Sequence, residues 1–142
     1  MTAVPHQATC VAIGERGMLI EGASGTGKSS LALALIDRGA RLVGDDGVLL
    51  ERRGERLWAL PPPAISGLLE VRNVGLVTLP ASPAPLALVL RLDADAPRLP
   101  ETAERAVLAG MDVPLIRLHP NSSVLHLRAE WALALHGVAE TG

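Results

Sequence analysis

The stretch Gly22-Ala23-Ser24-Gly25-Thr26-Gly27-Lys28-Ser29 leaves few folds open to this chain. It is a phosphate-binding loop pattern, set between a short apolar run, Met18-Leu19-Ile20, and a helix-like stretch from Leu31 to Arg38. Strand, glycine loop and helix in that order are the context the pattern needs. Glycines at 22, 25 and 27 let the backbone curl with its N–H groups inward, so that a triphosphate meets donors and the positive end of a helix together. Lys28 is then placed to reach the β- and γ-phosphates, and Ser29 to offer its hydroxyl to Mg²⁺. The whole run from Gly22 to Ser29 is expected to cradle the nucleotide.

Hydrophobic patterning gives an α/β fold with a mostly β core and a helix after the loop. Thr9 to Ile13 and Met18 to Glu21 read as strands joined by a turn from Gly14 to Gly17. Leu31, Ala32, Leu35 and Ile36 fall on one helical face, and Gly39 stands where a helix C-cap is expected. Arg41 to Val43 reads as a strand, and Val48 to Glu51 with Arg56 to Leu60 as a hairpin. Pro61-Pro62-Pro63 ends regular structure there, since each proline removes a backbone donor. Leu86 to Leu92 is a continuous apolar run, predicting a buried strand, and Asp93 to Pro100 a loop. Glu101 to Ala109 fits a helix or a helical turn running into a strand, Leu115 to Leu118 a short strand. Ser123 to His136 fits a strand, a helix, or one followed by the other.

Composition narrows the function. The 142 residues suffice for one domain with a real core, and 49% hydrophobic with 20% charged residues indicates a globular chain. A net charge of −2 offers no broad basic surface for nucleic acid. The single cysteine, Cys10, has no partner for an internal disulfide and is expected to pack in a strand. No apolar run reaches membrane-spanning length, and Met1 to Gln7 lacks the regions of a signal peptide, so a soluble, cytoplasmic protein is expected. With no Phe or Tyr, and only Trp58 and Trp131 as aromatic rings, a bound adenine must rest mainly on aliphatic groups or be loosely held.

A loop that holds phosphates needs carboxylates to hold metal and activate an acceptor. Asp45-Asp46, at the end of the Arg41 to Val43 strand, is the natural pair: one faces the Mg²⁺ shell and the other takes a hydroxyl proton as general base. The same residues, followed by Gly47, are also good turn chemistry. Glu70 and Arg72 lie two apart, so an extended segment would present both on one face, a carboxylate beside a guanidinium. Taken alone they read first as a surface salt pair, and they gain weight only from the motifs around them.

The order of these motifs resembles the catalytic domain of HPr kinase/phosphorylase, a bacterial P-loop kinase that phosphorylates a serine of the phosphocarrier protein HPr. The matching features are His6 ahead of the loop, the loop itself, and Arg38-Gly39 leading through Arg41-Leu42-Val43-Gly44 to Asp45-Asp46. Leu69-Glu70-Val71-Arg72-Asn73-Val74-Gly75-Leu76 is similar to the family's Glu-Ile-Arg-Gly-x-Gly signature. The resemblance implies a P-loop kinase-type domain using ATP and Mg²⁺, with Lys28 on the phosphates and Ser29 and Glu70 as metal ligands. It makes the Asp45-Asp46 pair the source of the base, without saying which of the two, and His6, Arg72 and Arg98 further catalytic-site residues. It also implies HPr or an HPr-like carrier as partner, and hexamers.

Three departures from the family pattern matter. The pattern begins almost at Met1, as in short, single-domain forms, so residues 1–142 read as a catalytic domain with the N-terminal regulatory domain absent. Asn73 stands where the signature has Gly, at a position whose backbone conformation glycine would ease. Pro120-Asn121-Ser122-Ser123 stands where the family has Pro-Gly-Arg-Asn, the segment associated with dephosphorylation, and the arginine is missing. The resemblance therefore implies a serine protein kinase with doubtful phosphorylase activity. A small-molecule kinase on the same fold and an ATP-sensing regulatory module without turnover are the alternatives.

Overall fold

In the computed structural model, which describes residues 2–140, eleven strands and two helices surround two apolar clusters. The strands are β1 (Val4–His6), β2 (Thr9–Ile13), β3 (Arg16–Gly22), β4 (Arg41–Gly44), β5 (Val48–Arg53), β6 (Arg56–Leu60), β7 (Leu68–Val71), β8 (Gly75–Thr78), β9 (Ala84–Leu92), β10 (Glu104–Leu108) and β11 (Met111–Leu118). The helices are α1 (Lys28–Asp37) and α2 (Leu125–His136).

Nine strands form one sheet, in the order β1-β5-β6-β9-β3-β2-β4, with β11 also paired to β9 and β10 to β11. β9 forks the sheet. Its first residues pair antiparallel with β6, Trp58 opposite Pro85 and Ala59 opposite Ala84, while Val89 to Leu92 pair parallel with β11 along the same edge. Its other edge carries β3, also parallel. The period-2 alternation of strand side chains sorts the core. Val11, Met18, Ile20, Leu42 and Leu90 point to the face covered by α1 and α2. Cys10, Ala12, Leu19, Val43 and Val89 point to the other face, where they meet Val48, Leu50, Leu57 and Ala59 of β5 and β6, so the sheet curls over on itself.

Helix α1 forms where Leu31, Ala32 and Leu35 share one buried stripe, and it stops at Arg38 with Gly39 (φ 108°) turning the chain into β4. β4 runs parallel to β3 but is not its neighbour. β2 lies between them, antiparallel to both. The C-terminal ends of β3 and β4 therefore emerge at the same edge as the N-terminal end of β2, which brings together the phosphate-binding loop, Asp45-Asp46 and Thr9.

Some sequence expectations change in detail. The β2–β3 turn is only Gly14-Glu15, because Ile13 already pairs with Arg16. Regular structure does not stop at the prolines: Pro63–Ile65 is a short 3-10 turn, which tolerates proline at its start. Residues 104–108 are a strand, since β11 is longer than its apolar stretch and offers a partner edge. Residues 125–136 are a helix, packed through Ala129, Ala132 and Leu133.

Candidate functional site

The loop between β3 and α1 has the backbone that its glycines allow. Gly27, the residue capping α1, has φ 96°. Gly22 has φ 157°, and a Cβ there would sit 2.7 Å from Thr26 Oγ1 and 3.1 Å from Leu92 Cβ, so both sites call for glycine. Thr26 tightens the loop by donating its hydroxyl to the Ala23 carbonyl at 2.7 Å. Lys28 folds over it, Nζ donating to the carbonyls of Gly22 at 2.8 Å and Ala23 at 3.2 Å. The ammonium thus lies across the mouth of the loop, where phosphate oxygens would replace carbonyl oxygens as its acceptors.

Asp45 and Asp46 diverge sharply in environment. The half-buried Asp45 accepts from the Ser29 hydroxyl at 2.7 Å and the Thr9 hydroxyl at 3.0 Å through Oδ1, and from the Glu70 N–H at 3.0 Å through Oδ2. The Asp46 side chain is exposed and its backbone is left-handed, φ 59°. The divergence arises from this backbone turn just beyond β4. The Asp46 N–H donates to Thr9 Oγ1 at 3.3 Å.

Glu70 arrives on the β7–β8 hairpin, a separate two-stranded sheet packed against α1. Leu69 is buried in the helix-side core, so its neighbour Glu70 faces out. Arg72 stands just past β7, in the turn, yet it lines the same cavity as Glu70. That cavity, about 290 Å³, is bounded by Lys28, Ser29, Asp45, Asp46, Glu70 and Arg72, with Thr9 and the loop residues Ser24, Gly25 and Gly27. Asn73 occupies the position the signature gives to Gly and adopts φ 68°, with Val74 N–H closing the turn on the Val71 carbonyl at 2.9 Å.

His6 approaches from the other side. It shares a shallow cleft with Asp46, Gly47 and Pro62, and its Nε2 contacts Glu21 Oε2 at 2.9 Å. Glu21, the residue before the loop, gives its other oxygen to Arg91, at 2.7 Å and 3.2 Å. Burial pushes the Glu21 carboxyl up, but hydrogen bonds from Arg91 and His6, together with the charges of both, outweigh it and hold the pKa below the ordinary glutamate value.

The structure thus brings together Lys28, Ser29, Asp45, Asp46, Glu70 and Arg72, with His6 at the margin. It does not bring Arg98 to them. Arg98 lies in the loop after β9 and lines a different cavity, of about 610 Å³, beside Arg117, His119 and Trp131. Sequence reasoning passed over Thr9, Glu21 and Arg91. Their only signal is a polar or charged residue at the end of an otherwise apolar strand.

The oxygens offered here are hard: the Ser29 hydroxyl and the Asp45 carboxylate in contact, with Glu70 lining the same cavity, though among the described residues no three carboxylate, histidine or cysteine side chains gather into a preformed cation site. Such a set suits Mg²⁺, which binds through one or two carboxylates and completes its shell with phosphate and water. A hydroxyl acceptor entering beside Asp46 would meet a carboxylate that has no partner among the described residues.

Comparison with known proteins gives a consistent picture. Residues 2–82 match the family model described as the HPr Serine kinase C-terminal domain. The chain is 36% identical over 119 residues to the HPr kinase/phosphorylase of Chlorobium phaeobacteroides (strain BS1), covering 74% of this chain and 35% of that protein. It is 51% identical over 65 residues to the HPr kinase/phosphorylase of Clostridium novyi (strain NT), covering 46% and 21%. The chain thus spans about a fifth to a third of the length of these curated relatives. The solved HPr(Ser) kinase/phosphatase from Coxiella burnetii superposes with a TM-score of 0.81 at 27% identity, over 92% of this chain and 88% of that one. The mostly β sheet with a helix after the loop is the fold of that enzyme. The family match takes in β1 to β8 and α1, and with them His6, the loop, Asp45-Asp46, Glu70 and Arg72.

Proposed function

The chain belongs to the HPr serine kinase C-terminal domain family, and on that premise we propose that it binds ATP with Mg²⁺ and phosphorylates a serine of HPr or an HPr-like phosphocarrier protein. The observation that carries this reading is the pairing of Ser29 with Asp45 at 2.7 Å beside Lys28, with Asp46, whose carboxylate has no hydrogen-bond partner among the described residues, lining the same cavity.

The chemistry divides among these groups. The loop amides and the N-terminus of α1 receive the phosphates, and Lys28 leaves the Gly22 and Ala23 carbonyls for the β- and γ-phosphate oxygens. Ser29, Asp45 and Glu70 would hold Mg²⁺, which would supply neutralisation of phosphate charge. Asp46 takes the serine proton as the oxygen bonds to the γ-phosphorus and the bond to the β-phosphate oxygen breaks, releasing ADP. A positioned base of this kind contributes about 10²- to 10⁴-fold. Arg72 is placed to hold charge on the moving phosphoryl group.

Phosphorolysis in the reverse direction is proposed to be weak. Pro120 and Ser122, in the loop between β11 and α2, line a cleft with Thr26 and Gly27, and the segment from Pro120 to Ser123 carries no arginine to hold an incoming phosphate there.

The direct test mixes the chain with ATP, Mg²⁺ and the HPr-like proteins of its own organism, reading intact mass. One phosphoryl group on a serine, absent with Lys28→Ala, is the expected result. ATP binding without transfer to any carrier would move the reading to a nucleotide sensor or a small-molecule kinase.

A further inference from the structure

Thr9 is the one buried polar residue among the described residues, 1% exposed. A hydroxyl taken out of water keeps its place in a fold only when its hydrogen bonds are replaced. Both of its capacities are used here, and both at the site. It donates to Asp45 Oδ1 at 3.0 Å and accepts the Asp46 N–H at 3.3 Å. Topology makes this possible: Thr9 opens β2, the strand between β3 and β4, opposite Ile20 and next to Cys10, which pairs with Gly44 just before the two aspartates.

We propose that Thr9 is a positioning residue that assigns the two aspartates their separate tasks, its single hydroxyl holding the Asp45 carboxylate toward Ser29 while pinning the Asp46 backbone so that its carboxylate faces the acceptor side. The reasoning is geometric. Asp46 is a non-glycine residue at φ 59°, a conformation that persists when the surroundings over-determine it. Its N–H bond to Thr9 is such a constraint. Asp45 Oδ1 is shared between Ser29 and Thr9, so losing the Thr9 donor removes one of the three hydrogen bonds that fix the carboxylate and leaves Oδ1 to Ser29 alone. The strand itself asks only for a β-branched residue at position 9, which valine supplies with nearly the same shape. The hydroxyl is therefore specific to the site.

The catalytic part of this inference rests on the kinase reading above; the geometric part does not. The test compares Thr9→Val, which removes the hydroxyl, with Thr9→Ser, which keeps it, on two readouts. The first is exchange of the Asp46 amide proton by NMR, expected to quicken by about tenfold in Thr9→Val and to stay as in the parent in Thr9→Ser. The second is phosphotransfer, where kcat should fall roughly 10²-fold in Thr9→Val. Nucleotide affinity measured without Mg²⁺ should hold within about twofold, and Thr9→Ser should restore the rate. A purely structural role would lower the melting temperature of Thr9→Val while leaving kcat of the folded enzyme alone. Unchanged Asp46 exchange in Thr9→Val, or equal kcat in parent, Val and Ser forms, overturns the proposal. Thr9→Ala replaces Val if the latter does not fold. Absence of phosphotransfer in the parent chain would count against the kinase reading, and the amide exchange would still decide the role of Thr9.

Discussion

At the scale of single residues, the site is organised by carboxylates that differ in how many partners they have. Asp45 accepts three hydrogen bonds, Glu21 splits its two oxygens between Arg91 and His6, and among the described residues the Asp46 carboxylate has no partner. Substitution should separate them. Asp46→Asn is expected to lower kcat by about 10²-fold or more with nucleotide affinity nearly unchanged; Asp45→Asn should weaken Mg²⁺-dependent nucleotide binding as well, both read by titration calorimetry beside a transfer assay. Glu21 gives a pH prediction. Its folded pKa is depressed, so its contribution is fully present above the unfolded glutamate pKa of about 4.3 and is lost as pH falls through the folded value. The stability gap between parent and Glu21→Gln, measured by urea unfolding, should be largest near neutrality and close in acid. A gap that grew in acid would show Glu21 to be acting through something other than these pairs. The loop and the Asp pair are legible in one sequence because their chemistry is local in spacing. Thr9 and Glu21 are not, since their partners Asp45 and Arg91 lie 36 and 70 residues away.

At the scale of elements, the β7–β8 hairpin deserves a test because it presents Glu70 and Arg72. Its turn needs a left-handed residue at 73, and Asn73 supplies it at φ 68°. Asn73→Gly should be nearly neutral, whereas Asn73→Val, branched at Cβ, should cost about 1–2 kcal/mol. Thermal melts would register the second as a drop of several degrees; an equal effect of Gly and Val would mean that the turn relaxes to another conformation. β2, β3, α1, β4 and the β5–β6 hairpin were readable from periodicity and turn residues. The last third was less so. Residues 104–108 became a strand because β11 offered them an edge, and residues 125–136 a helix because Ala129, Ala132 and Leu133 found the sheet. Both outcomes are decided by tertiary partners, which local patterning does not display.

At the scale of the whole molecule, β9 joins the two halves of the sheet, holding β6 and β11 on one edge and β3 on the other. Neither half has a complete core without it, because Leu88 and Leu90 enter the helix-side cluster and Leu86 and Val89 the opposite one. Unfolding should therefore be a single cooperative transition. In a Trp131→Phe variant, emission from Trp58 on β6 should share its urea midpoint with far-ultraviolet circular dichroism of the whole chain. Separate midpoints would mean that the β1-β5-β6 half comes away first.

The placement of β2 between β3 and β4 acts as a ruler. Two inter-strand spacings, roughly 10 Å in all, separate the strand that delivers the phosphate loop from the strand that delivers the aspartates, and backbone hydrogen bonds set that gap. On the kinase reading proposed above, the nucleotide and acceptor sides of the site are thereby given their separation by the scaffold itself. On that reading, side-chain changes at the rim would alter which acceptor fits while the strand-set separation stays constant.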